Sequence, residues 1–177
     1  AYHRVLQYLP PALGARINTT QNELTQMEAD GVITSEELRQ IDLEKIVGFW
    51  TSKPGSAIRS EADRTHRELP FTARFTISEL SELGFVVTDD PASIEESVIL
   101  QGIVDLAVIT ENEIWLLDFK SEQVHLDDIE ESANHHSEQL AVYRLALEKI
   151  YKMPVTKSWI HFLQPGVTFD LLSGSLE

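Results

Sequence analysis

Three residues near the middle of the chain have types and spacing suited to metal-assisted phosphoryl chemistry: Asp105, Asp118 and Lys120. Two hard carboxylates suit Mg²⁺ or Mn²⁺, which polarises a phosphate and lowers the pKa of a bound water. A lysine beside them orients that water and offsets the charge growing on the phosphoryl oxygens. Asp105 sits within the apolar run Val98-Ile99-Leu100-Gln101-Gly102-Ile103-Val104-Asp105-Leu106-Ala107-Val108-Ile109. Asp118 closes Ile114-Trp115-Leu116-Leu117-Asp118. A charge in such a run is costly unless it is paired or holds a cation. On spacing alone, Asp105 also fits a strand-end aspartate, and Asp118 with Lys120 an ordinary ion pair.

The elements that must position these residues can be read from the pattern around them. Residues 97–109 and 113–120 are strand-like, and Glu111-Asn112 between them makes a tight turn, so a hairpin is expected. A period of two puts Ile114, Leu116, Asp118 and Lys120 on one face and Trp115, Leu117 and Phe119 on the other. Asp105 then approaches from the neighbouring strand. A long helix is expected over 130–151, started by the acids Asp127, Asp128, Glu130 and Glu131, and a strand over 155–163 before a polar tail. Upstream the period is helical: residues 2–9, 19–30 and 42–50, the last stopping before Pro54-Gly55, with a capped helix start at Thr34-Ser35-Glu36-Glu37. A strand is expected over 69–77, then an acidic, turn-rich stretch over 79–95 around Gly84 and Asp89-Asp90-Pro91. Helices, then a hairpin, then helix and strand predict a mixed α/β fold: a central mixed sheet flanked by helices, with an N-terminal helical segment.

Bulk composition sets limits. The 177 residues suit one domain, 1–177, and 42% hydrophobic content allows a packed core. No apolar run approaches the ~20 residues that span a bilayer, and no secretory signal opens the chain. The absence of cysteine excludes disulfides and cysteine-held iron–sulfur clusters within it. These features fit a bacterial cytoplasmic protein with no membrane partner. The chain opens at Ala1 and enters a helix at once, which predicts a domain from a longer protein. The net charge of −15 is unlike the basic footprint of a stand-alone DNA-binding module. Acids that hold a cation, and a strand fed in by neighbouring domains, reconcile that charge with a nucleic-acid substrate.

Taken in order, Gly102-Ile103-Val104-Asp105, Asp118-Phe119-Lys120 and Gln139-Leu140-Ala141-Val142-Tyr143 resemble the G-x-x-D, D-x-K and Q-x-x-x-Y series of RecB-like PD-(D/E)xK nucleases. Tyr2-His3-Arg4-Val5-Leu6 is similar to the family's upstream histidine motif, and Arg67-Glu68-Leu69-Pro70-Phe71 resembles its R-E-x-P-F strand. The resemblance covers nearly the whole chain; each motif is weak alone, and the ordered set is specific. Within the family it looks most like the nuclease domain of AddA-type helicase–nuclease subunits, since the AddB-type and many CRISPR-associated branches carry four cluster-binding cysteines.

The resemblance implies a metal-dependent deoxyribonuclease, an exonuclease working on DNA strands delivered by a fused ATP-driven helicase in double-strand-break repair. It implies Mg²⁺ or Mn²⁺ held by His3, Asp105, Asp118 and the Phe119 carbonyl, and no iron–sulfur cluster. Imidazole is an uncommon ligand for Mg²⁺ and suits Mn²⁺ better. Asp105, Asp118 and Lys120 are the expected catalytic set, joined by Gln139 and Tyr143, which lie four apart on one helix face. Gln139 would reach the site, and Tyr143 would contact DNA or brace the helix. Glu68 stands as a carboxylate behind the metal ligands or beside a second cation, or as a plain strand-start charge. Arg59, Arg64, Arg67 and Arg74 are the candidate phosphate contacts. His125, His135 and His136 read as solvated, and Trp50, Trp115 and Trp159 as core. The implied partners are DNA and a second protein of AddB type. Two other readings accommodate the same residues: a non-catalytic nuclease-like scaffold that docks a partner protein, and a stand-alone restriction or phage-type nuclease.

Overall fold

The computed structural model describes residues 2–85 and 97–177. Its first third is helical: α1 (Tyr2–Tyr8), α2 (Ile17–Ala29), α3 (Ser35–Gln40), α4 (Leu43–Thr51) and α5 (Lys53–Ser60). Helix α3 starts at the expected cap: the Thr34 hydroxyl accepts from Glu37 N, and the Glu37 carboxylate accepts from Thr34 N. Two helix-end donors are thereby satisfied. Helix α5 departs from the sequence reading, which ends the helical segment before Pro54-Gly55. Ser52 caps α5 by accepting from Gly55 N, and Pro54 falls in the first turn, where its missing N–H is no loss.

Six strands among the described residues form one sheet, in the order β1 (Thr65–Thr76), β2 (Ser97–Ile109), β3 (Ile114–Lys120), β4 (Val155–Phe162), β5 (Val167–Asp170) and β6 (Ser175–Leu176). The β3–β4 pair is parallel, and the other pairs are antiparallel. The long helix α7 (Ile129–Tyr151) makes the crossover from β3 to β4. The architecture is the mixed α/β one expected. Strand β1 starts at Thr65, four residues earlier than expected. A short helix α6 (Ile77–Glu82), with a capping box between Thr76 and Glu79, replaces the first part of the stretch read as turn-rich. Strands β5 and β6 lie in the segment read as a polar tail. Asp89-Asp90-Pro91 lie outside the described residues.

The sheet separates two cores. On one face Phe49, Trp50 and Ile46 of α4 and Leu24 of α2 pack on Leu106, Leu117 and Phe119. All three tryptophans, Trp50, Trp115 and Trp159, belong to this face. On the other, Leu140, Ala146 and Leu147 of α7 pack on Leu116, Ile160 and Phe71. Fully burying such a side chain contributes about 1.5–3 kcal/mol. The predicted alternation in β3 holds: Ile114 and Leu116 face α7, while Trp115, Leu117 and Phe119 face the N-terminal helices. Buried on that latter face, His161 donates or accepts at Nδ1 with Thr168 Oγ1 at 2.9 Å. Burial depresses its pKa to about 3, which keeps it neutral, and Phe49 packs on its ring at 4.6 Å.

Two irregularities near the middle of the sheet position the site. In β1 and β2 the alternation of faces reverses at one level. Leu106 and Val108 face the N-terminal helices, but Val104, on the other side of Asp105, faces α7. Opposite, Arg67 reaches Leu9 O at the end of α1, while Leu69 packs toward α7. The residue between them, Glu68, has a left-handed backbone with φ +49. That conformation is uncommon for a non-glycine residue and turns the chain over. The second irregularity is a fork. Strands β2 and β3 pair from Ile109↔Ile114 to Leu106↔Leu117 and then part, leaving Asp105 and Asp118 next in line without a ladder pair.

Candidate active site

At the fork Asp105 turns its carboxylate across the gap. Its Oδ2 accepts from the backbone N–H of Phe119 at 2.8 Å, in place of a ladder bond. Burial raises the Asp105 pKa to about 6, the charge of Asp118 adds to the shift, and the bond from Phe119 and the imidazole of His3 partly offset it. The charge of Glu68 acts in the same direction as that of Asp118. Crowding of this kind destabilises two ionised carboxylates unless a cation stands between them.

Asp118 is buried, with its side chain only 6% exposed. Lys120 projects from the same strand face, and its Nζ lies 2.8 Å from Asp118 Oδ2. The approach is off-angle, so that oxygen has the ammonium as a neighbour but no hydrogen bond. Lys120 Nζ instead donates to Gln139 Oε1 at 3.1 Å, and Gln139 Nε2 donates to the Tyr143 hydroxyl at 2.7 Å. From α1, His3 Nδ1 comes to 3.8 Å from Asp105 Oδ2.

The structure therefore brings together His3, Glu68, Asp105, Asp118, Phe119, Lys120, Gln139 and Tyr143, which lie far apart in sequence. Among the described residues no three His, Asp or Glu side chains close into a cation cage. The donor chemistry nevertheless fits a hard divalent cation. The unsatisfied Asp118 Oδ2, the crowded Asp105 carboxylate and the His3 imidazole beside it are oxygen and nitrogen donors lacking a positive partner.

Other residues singled out from sequence lie elsewhere. His136 Nε2 meets Glu122 Oε1 at 2.9 Å, and His135 stacks edge-on against His136, in a polar hollow with Asp128 and Glu131. Three of the four candidate phosphate-binding arginines are committed within the protein. Arg59 Nε donates to Trp50 O, Arg64 pairs with Glu61, and Arg67 donates to Leu9 O, each at 2.8 Å. Arg74 is exposed on β1. Sequence reasoning named Gly102 and Phe71 only as motif letters; their place against Tyr143 carries no signal beyond those letters. No helix among the described residues is long and apolar enough to cross a membrane.

Comparison with known proteins agrees with this geometry. A model of the PD-(D/E)XK nuclease superfamily matches residues 1–169. A protein of Clostridium acetobutylicum, named as the A-type chain of an ATP-dependent helicase/nuclease, is 26% identical over 174 residues, 97% of this chain and 13% of that protein. The protein of the same name from Syntrophomonas wolfei is 31% identical over 160 residues, 90% of the chain and 12% of its own length. In Moorella thermoacetica the identity is 28% over 176 residues, 98% of the chain and 12% of the relative. The chain thus spans about an eighth of the length of these curated relatives. A family match that runs almost end to end, over a sheet whose fork gathers the motif residues, has one reading: the chain belongs to the PD-(D/E)XK nuclease superfamily.

Proposed function

We propose that this chain is the nuclease domain of an AddA-type helicase–nuclease and hydrolyses phosphodiester bonds of DNA strands fed to it by the helicase. The observation that carries the reading is Lys120 Nζ held beside Asp118 at the fork, with Asp105 facing it across the gap. His3, Asp105, Asp118 and the Phe119 carbonyl would hold Mg²⁺ or Mn²⁺, with Glu68 as a further carboxylate close by. When bound, the cation supplies Lewis-acid polarisation of the phosphate and a water of lowered pKa. Lys120 places a positive charge where the phosphoryl oxygens gain negative charge, inside a partly dehydrated site where such a charge is most effective. Asp118 and Gln139 hold that ammonium in place. Asp105, ionised above about pH 6, is available as a ligand at neutral pH.

The names of the relatives support the rest. They join a helicase to a nuclease in one assembly of more than one chain, and we assign the further chain to the AddB type. The proposed setting is double-strand-break processing and recombinational repair in the bacterial cytoplasm. The net charge of −15 favours a strand delivered by other domains over one captured by this domain's own field.

The test is cleavage of end-labelled single-stranded DNA with Mg²⁺ or Mn²⁺, for the wild type and Lys120→Ala side by side, in the isolated domain and in the full-length protein. Loss of at least about a hundredfold in the variant, with Mn²⁺ binding retained, is the expected result. A folded wild type that neither cuts DNA in either form nor binds Mn²⁺ would leave the scaffold reading in its place.

A further inference from the structure

We propose that Gly102, Phe71 and Tyr143 form a seat that sets the position of Lys120 through Gln139. The inference rests on the nuclease reading above for its catalytic consequence, though not for its geometry. Lysine has a flexible four-carbon stem, and one ion pair does not fix its ammonium. Lys120 is held by two groups, Asp118 on its own strand and Gln139 on α7.

Gln139 performs this task in only one orientation. A side-chain amide has an acceptor end and a donor end, and only its oxygen can receive a proton from an ammonium. The Tyr143 hydroxyl accepts from Gln139 Nε2 at 2.7 Å and so keeps the oxygen end turned to Lys120. The four-residue spacing stacks the two side chains on one face of α7.

Tyr143 is positioned by the sheet. Its ring meets Phe71 edge-on, with centroids 5.4 Å apart and planes at 72°. Phe71 is the cross-strand partner of Gly102, and its ring lies over that residue. A Cβ at position 102 would stand 2.6 Å from Phe71 Cε1, 2.7 Å from Cζ and 3.2 Å from Tyr143 Cε1. Gly102 does not have a positive φ, so space rather than backbone freedom requires glycine here. The contacts run from Gly102 and Phe71 to Tyr143, Gln139, Lys120 and finally Asp118. They give the glycine three residues before Asp105, and the tyrosine four after Gln139, a common purpose. These are positioning residues, which act on the substrate through the ammonium they hold.

The experiment compares Gly102→Ala, Tyr143→Phe, Gly102→Ala with Tyr143→Phe, and Gly102→Ala with Phe71→Leu. Three readouts are kcat and KM on single-stranded DNA, Mn²⁺ affinity, and the side-chain NMR signal of ¹⁵N-labelled Lys120 identified by Lys120→Arg. Each single variant is expected to lower kcat about ten- to a hundredfold, with KM and Mn²⁺ affinity within about twofold of wild type. The double variant of Gly102 and Tyr143 should lose no more than the worse single, because both break one relay. Phe71→Leu should restore part of the kcat lost in Gly102→Ala by making room for the methyl. The Lys120 signal should move in both single variants. Unchanged kcat and an unmoved Lys120 signal would overturn the seat, as would parallel loss of Mn²⁺ affinity and thermal stability, which would mark a structural role alone. If the wild type cuts no DNA yet the Lys120 signal moves in the variants, the seat stands and the nuclease reading falls.

Discussion

Asp105 carries the largest conflict in the molecule, and its consequences belong to the single residue. Its folded pKa of about 6 lies above the ordinary value of 3.8. The folded state therefore holds this proton more tightly than the unfolded chain does. The stability linked to it is complete below about pH 3.8 and is lost as pH rises through about 6. Without a cation the domain should gain stability on Asp105→Asn at pH 7.5, the reverse of most core substitutions, by about 2–4 °C in melting midpoint for each kcal/mol of repulsion relieved. Mn²⁺ competes with that proton for the carboxylate. It should raise the wild-type midpoint more at pH 7.5 than at pH 5, and should do little to the Asn variant at either pH. Calorimetric melting at the two pH values checks both; an equal Mn²⁺ response at pH 5 and pH 7.5 would remove Asp105 from the ligand set.

At the scale of elements, the turn from α4 into α5 depends on a close approach of backbone to backbone. A Cβ at Gly55 would lie 2.0 Å from Phe49 O, with no flexible side chain to yield. Gly55→Ala should destabilise the domain by about 1–3 kcal/mol, measured by urea unfolding, although alanine is the better helix former. The same turn shows where sequence reading stops. Pro54-Gly55 looks like a terminator, yet the proline sits in a first turn and the glycine marks tight packing, which a one-dimensional pattern does not distinguish. Strands β2 and β3, the faces of β3 and the extent of α7 were legible because each rests on apolar periodicity long enough to be unambiguous. The start of β1 was not, since Thr65-His66-Arg67-Glu68 is polar and its strand character comes from pairing with β2. Helix α6 was signalled by its Thr76–Glu79 capping box but lay in acidic surroundings, and β5 is too short for its alternation to stand out. The candidate residues were legible as letters. Their meeting point was not: nothing in the local sequence announces that β2 leaves β3 at Asp105, or that Glu68 turns over in mid-strand. Both are settled by competition between neighbouring strands and the two layers of helix.

At the scale of the whole molecule, the charge of −15 is distributed largely as helix starts: Glu36 and Glu37 in α3, Glu44 in α4, Glu130 and Glu131 in α7. Acids there are favourable to the helices themselves, so the overall charge reflects construction more than the substrate. The two cores differ in another respect, with a practical outcome. Every tryptophan lies on the side of the sheet that faces the N-terminal helices. Intrinsic fluorescence is therefore an optical label for one side of the protein, while circular dichroism reports both. If the two layers come apart together, urea curves from the two signals will coincide. If the N-terminal helices peel away first, the emission will redshift at lower urea than the loss of ellipticity. The lamp would then go out on His3 before Lys120 and α7 had moved, and a protein still largely folded would already have lost one arm of its site.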